Sequence, residues 1–115
     1  MPSDELPLYT HWERVLDDLL DRTMKFPKAV RFTLAGRMDN LALDILEHIV
    51  EARYSSGRRK AEVLQRADLA LARLRALVRL SHARRHLDHR GYEHVSRGLD
   101  EAGRMLGGWR RQQAG

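Results

Sequence analysis

Cysteine is missing altogether from this sequence of 115 residues. That excludes a disulfide framework, a thiolate metal site and a cysteine nucleophile. Proline occurs three times and aromatic residues make up only 6%. Long apolar runs are also missing. None approaches the ~20 residues that span a bilayer. The first residues, MPSDELPLY, are acidic and lack the apolar centre of a signal peptide. The expectation is a soluble cytoplasmic protein. No β-branched run alternates with polar residues, so strands are not expected. GxSxG and P-loop patterns are lacking too, which leaves catalysis little support.

What is present is helical periodicity and arginine. The charge is uneven. Residues 1–57 hold 7 Lys/Arg and 10 Asp/Glu, whereas residues 58–115 hold 14 Lys/Arg and 6 Asp/Glu. Within that second half only Lys60 is a lysine. Guanidinium groups fork onto phosphate with two parallel bonds, so the balance points to an anionic partner.

Apolar residues recur at helical spacing in four segments. The first covers about residues 7–25, with Leu8, Trp12, Val15 and Leu19. Pro27 ends it, because the residue before a proline avoids the helical region. The second begins between residues 27 and 33 and reaches about 54, with Leu34, Met38, Leu41, Ile45 and Ile49; Gly57 lies just past its end. The third covers about 59–86, with Val63, Ala67, Ala70, Leu74 and Leu77. The fourth covers about 88–110, with Tyr92, Val95, Leu99, Ala102, Leu106 and Trp109. Short connections force antiparallel neighbours. The expected fold is all-α, an antiparallel up-down-up-down four-helix bundle in one domain over 1–115, with flexible ends at about 1–6 and 111–115. The second and third stripes are wide enough to suggest subunit contacts.

The strongest chemical signal is a row of arginines. Arg90, Arg97, Arg104 and Arg111 recur every seven residues, opposite the apolar seam of the fourth helix. A straight helix drifts only ~20° per heptad, so the four share one exposed stripe. Like charges so aligned repel, and a polyanion would relieve them. Arg59, Arg66 and Arg73 form a second heptad row on the third helix, where Glu62 could pair with Arg66. Arg84 and Arg85 stand near that helix's end. All nine are candidate phosphate contacts.

The histidines His82, His86 and His89 gather around the same turn. His82 and His86 are four apart, but Ala83, Arg84 and Arg85 between them give no HExxH pattern and would oppose a cation. No metal and no cofactor are expected. Glycines near the C-terminus, in GRMLGGW, weaken a helix by about 1 kcal/mol each. Gly103 and Gly107 would give a flat strip for another backbone, with Trp109 as a large apolar anchor. In FPKAVRFTLAGR, Phe26, Phe32 and Leu34 are expected to cap the bundle end. Lys28, Arg31 and Arg37 would meet carboxylates such as Asp39 or Asp44 in the same or a neighbouring subunit.

The segments FPK, RFTLAGRMDNLALDILEHIVEARYS and GYEHVSRGLDEAGRMLGGW resemble the accessory variability determinant proteins of diversity-generating retroelements. That group belongs with the four-helix-bundle proteins encoded in ribosomal-RNA intervening sequences. The resemblance covers about residues 9–109. It implies a non-enzymatic, ring-like homopentamer with a basic surface. Such a protein binds the retroelement reverse transcriptase and nucleic acid, and supports mutagenic copying of template RNA into cDNA. Phe26, Pro27, Arg31, Phe32, Arg37, Gly103, Gly107, Gly108 and Trp109 fall on the family pattern. Phe26, Arg31, Phe32, Arg37, Gly103, Gly107 and Trp109 are thus candidates for a subunit or partner interface. The arginine rows are read from this sequence alone. The alternative reading is an oligomeric interaction module of the intervening-sequence type, with a protein partner and no bound nucleic acid.

Overall fold

In the computed structural model residues 5–114 are described; of the flexible ends expected at about 1–6 and 111–115, residues 1–4 and 115 lie outside them, and 5–6 and 111–114 are helical. Helix α1 runs Glu5–Thr23, α2 Gly36–Arg53, α3 Gly57–Ala83 and α4 His89–Ala114. Each packs on its sequence neighbour, and α1 packs on α4 to close the bundle. The expected all-α four-helix bundle is what forms. Its longest dimension is 44 Å, close to the ~39 Å of a 26-residue helix at 1.5 Å per residue.

The apolar stripes meet in one core. Leu8, Trp12, Leu16 and Leu19 of α1 face Met38, Ala42, Ile45 and Ile49 of α2. Val63, Ala67, Leu74 and Val78 of α3 and Val95, Leu99, Leu106 and Trp109 of α4 complete it. Several buried polar groups find partners inside, though His86 Nε2 and Trp109 Nε1 have none among the described residues. The Trp12 indole donates to the Ala42 carbonyl at 2.9 Å. The Ser81 hydroxyl donates to the Leu77 carbonyl at 2.8 Å. The Thr23 hydroxyl donates to Asp39 at 2.6 Å, tying α1 to α2.

Helix ends depart from the expected ones. Helix α3 begins at Gly57, which holds φ +56° and turns the chain into α3 rather than merely trailing α2. It ends at Ala83, three residues short of His86. There the Arg85 amide donates to the His82 carbonyl at 3.0 Å and the His86 amide to the Ser81 carbonyl at 2.8 Å. These two bonds make a Schellman motif, with Arg85 at the left-handed position that glycine usually takes; its φ is +66°. Helix α4 opens with the Asp88 carboxylate accepting from the Gly91 amide at 2.7 Å. That is an N-cap bond. At the other end α4 continues to Ala114, well past residue 110. Trp109 is fully buried and Arg110 pairs with Asp68 of α3 at 3.1 Å, so its last turns are held to the bundle.

The link between α1 and α2 is compact rather than extended. After Pro27 come a 3-10 turn, Lys28–Val30, and a π-helical turn, Arg31–Ala35. Phe26 and Leu34 are buried beneath it. Phe32 is not; its side chain is 89% exposed. The expected apolar cap therefore loses one member. Wider π-type winding shifts the register of side chains around the axis, and Phe32 falls on the solvent side.

Candidate nucleic-acid interface

Antiparallel topology decides where the charges meet. The link between α1 and α2 and the turn between α3 and α4 lie at the same end of the bundle. The rings of Phe26 and His86 mark the junction, 5.4 Å apart. Residues 24–35 carry Lys25, Lys28 and Arg31 with no acid. Residues 84–90 carry Arg84, Arg85 and Arg90 with one acid, Asp88, engaged as a helix cap. Together these 19 residues hold a net charge of +5, the same as the whole chain. The remaining 96 residues hold 15 basic and 15 acidic side chains. All six cations are exposed, and among the described residues none makes an ion pair.

The heptad row on α4 is exposed along its length, as expected, but only its ends are unpaired. Arg97 lies 3.4 Å from Glu93. Arg104 donates through Nε to Glu101 at 3.0 Å, and that hydrogen bond holds the Glu101 carboxyl below its ordinary value. Arg90 and Arg111 make no ion pair among the described residues. A phosphate reaching Arg97 or Arg104 must first displace a carboxylate, at the small cost of breaking an exposed pair. The middle of the row is therefore less available than the bundle end.

On α3 the second row is divided. Arg59 reaches back to Glu51 of α2 at 2.7 Å, and this bond lowers the Glu51 pKa. Glu62 sits 3.6 Å from Arg58 rather than with Arg66. Arg66 and Arg73 are exposed. Arg73 lines a groove between α2 and α3 of about 570 Å³, shared with Arg37, Leu41, Asp44 and Leu77. Arg37 and Asp44 thus share one groove but make no ion pair among the described residues. Within the two rows carboxylates engage Arg59, Arg97 and Arg104.

The histidines of the turn make ring and carboxylate contacts, His89 Nε2 lying 2.8 Å from Glu93. His82 stacks on Tyr92 with ring centroids 4.2 Å apart and planes 7° from parallel. Among the described residues no group of three His, Cys, Asp or Glu side chains could hold a metal. No described helix is long and apolar enough to cross a membrane.

A family model described as bAvd-like matches residues 8–113, which takes in nearly all of α1 to α4 and both connections at the basic end. The chain belongs to the bAvd-like family. These are the bacterial accessory variability determinants, accessory and non-catalytic proteins of diversity-generating retroelements. The family resemblance carried by FPK, RFTL and GGW is thereby established. No curated relative matches the chain.

The residues that fall on the family pattern divide by location in this bAvd-like chain. Arg31, Phe32 and Arg37 are exposed and open to a partner. Phe26 is buried against His86. Trp109, expected as an outward anchor, is 0% exposed and belongs to its own core. Lys60 lies over that ring at 5.5 Å from its centroid. Gly103 makes room within the chain rather than for another backbone. A Cβ there would fall 2.5 Å from Arg75 Nη2, and Arg75 crosses at that point to Asp100 at 2.7 Å and the Leu99 carbonyl at 3.2 Å. Gly107 is half-buried and has only Arg111 nearby, so it stays partly open. Sequence reasoning missed Lys25 entirely and placed Lys28 and Arg31 with neighbouring carboxylates. The signal was legible: two linkers rich in cations and nearly free of acids, brought to one end by an even number of antiparallel helices.

Proposed function

We propose that this bAvd-like chain binds a retroelement reverse transcriptase together with its template RNA or cDNA, and so supports mutagenic reverse transcription without catalysing a step itself. The observation that carries the nucleic-acid part is the bundle end, where six exposed cations make no ion pair among the described residues and the net charge of residues 24–35 and 84–90, +5, equals that of the whole chain. Lys and Arg side chains there neutralise phosphates and release condensed counterions. Phosphate contacts position a strand without reading its bases, so sequence selectivity is low. The arginines of α4, with Arg59, Arg66 and Arg73 of α3, extend the same field along the shaft.

Self-association supports this role, with five copies in a ring as the number the resemblance implies. Leu43 and Val50 on α2 and Leu69 and Leu80 on α3 are exposed on helices whose other faces fill the core. Such a flank suits packing against a second copy. The cytoplasm, where reverse transcription of this kind takes place, is the proposed location.

Binding of a labelled single-stranded RNA, followed by fluorescence anisotropy from low to high salt, tests the reading. Affinity is expected to fall linearly on a log–log plot, with a slope of about −0.7 for each phosphate contacted. Native mass measurement reads the copy number in the same samples. The flank of exposed leucines also suits an interaction module that takes only a protein partner. Capture of the reverse transcriptase with no RNA or cDNA bound at low salt would establish that reading and refute ours.

A further inference from the structure

We infer that the bundle end made by residues 24–35 and 84–90 is a seat for single-stranded nucleic acid, in which one base stacks on Phe32 while phosphates lie on the surrounding Lys and Arg side chains. This rests on the nucleic-acid reading above and narrows it to one surface and one strand form.

Three observations converge there. The first is charge without partners: Lys25, Lys28, Arg31, Arg84, Arg85 and Arg90 are exposed and make no ion pair among the described residues. A polyanion seated there displaces water and counterions, not carboxylates. The second is Phe32. It is 89% exposed, follows Arg31 directly, and stacks on no ring among the described residues. A phenyl ring so placed adds nothing to the core. Beside cations it is the usual complement of an unpaired base, since every base has a π-face and stacking tolerates any sequence. The third is the backbone that carries these groups. Phe32 stands on a π-helical turn and Arg85 at a left-handed position. Such irregular conformations concentrate where side chains are aimed for function.

The strand form follows from the ring. In a duplex the bases are stacked on each other and offer only their edges, so an exposed Phe has no face to meet. In a single strand it does. A protein partner fits less well. Protein interfaces have an apolar centre with charges at the rim. Here the large exposed apolar side chains are only Phe32 and Met24, set among six cations.

The test uses the full chain and a labelled single-stranded oligonucleotide of mixed sequence beside its duplex. Phe32→Ala is expected to weaken single-strand binding by about 5- to 150-fold, the worth of one stacked base, with the salt slope unchanged. Phe32→Trp is expected to restore it, and duplex binding is expected to stay the same in both. Replacing Lys28, Arg31, Arg84 and Arg85 by Gln is expected to lower the slope by about 3, at ~0.7 per contact. Replacing Arg97 and Arg104 by Gln is expected to change it by less than half as much. Helical circular dichroism checks that each variant is folded. If the wild-type chain binds neither oligonucleotide, both this inference and the broader reading fail. If it binds and the bundle-end variants bind equally well, this inference fails and the broader one stands. A Phe32→Ala variant of reduced native mass, or one that loses only the reverse transcriptase, would make Phe32 a protein contact and overturn the assignment.

Discussion

Arg85 allows stability and binding to be pulled apart in one residue. Its φ of +66° puts an L side chain where glycine would ordinarily stand. A non-glycine residue held in that region costs of order 1–3 kcal/mol. Arg85→Gly removes the strain but adds chain entropy to the unfolded state, an opposing effect of about 0.5–1 kcal/mol. The Schellman bonds at 3.0 and 2.8 Å are made by backbone and survive the change. The net expectation is a gain of about 1 kcal/mol. At an unfolding entropy of ~2.1 cal/mol/K per residue, a chain of this length should melt about 4 °C higher. The same substitution deletes a cation from the bundle end, so the salt slope for single-stranded RNA should fall by about 0.7. Arg85→Ala is the control. It loses the same cation and keeps the strain, so it should bind like the Gly variant and melt like the wild type. Thermal unfolding by circular dichroism and anisotropy titration read both quantities. If the Gly and Ala variants melt together, the strain argument is wrong. If the Gly variant binds as well as the wild type, Arg85 makes no phosphate contact.

Other perturbations follow from the packing. Phe26→Ala should destabilise by about 3 kcal/mol, because that ring is buried; Phe32→Ala should leave the urea midpoint unchanged, because that ring is in solvent. Gly98→Leu should cost about 1–3 kcal/mol in urea unfolding by overpacking, since even a Cβ at that position would sit 3.0 Å from Val15 Cγ2 of α1. Glu51 is held below its ordinary pKa first by the hydrogen bond from Arg59. Its folded value is depressed, so the stability it contributes is present above the unfolded value near 4.5 and is lost as pH falls through the folded one. Carboxylate NMR titration should give a midpoint below 4.5 for Glu51, and Arg59→Ala should move it back up.

The architecture was legible because its determinants are periodic. Leu8, Trp12 and Leu19, or Val95, Leu99 and Leu106, declare their faces by spacing alone. Residues that turn on a single winding or contact were not legible in that way. Phe26 and Phe32 lie six apart in one short segment, and only the π-helical turn sends one inward and the other out. Trp109 has the size of an anchor on either side of a helix, and burial decides which. Gly103 looked like a seam for another chain until Arg75 was found filling the space. The arginine row of α4 was read as exposed, with acidic neighbours such as Glu101 softening it, but Glu93, four positions before Arg97, was not weighed as a partner. The bundle end needed tertiary information of the simplest kind. Its cations come from segments about 50 residues apart and become one surface only through antiparallel folding.

Concentrating the excess charge at one tip gives the molecule a direction. Protomers packed flank to flank and all pointing the same way would gather their tips on a single rim, while alternating protomers would spread them over both. A same-way assembly has a front and a back, so a polymerase that feeds strand to the front would meet every tip at once, and one approaching the back would meet none.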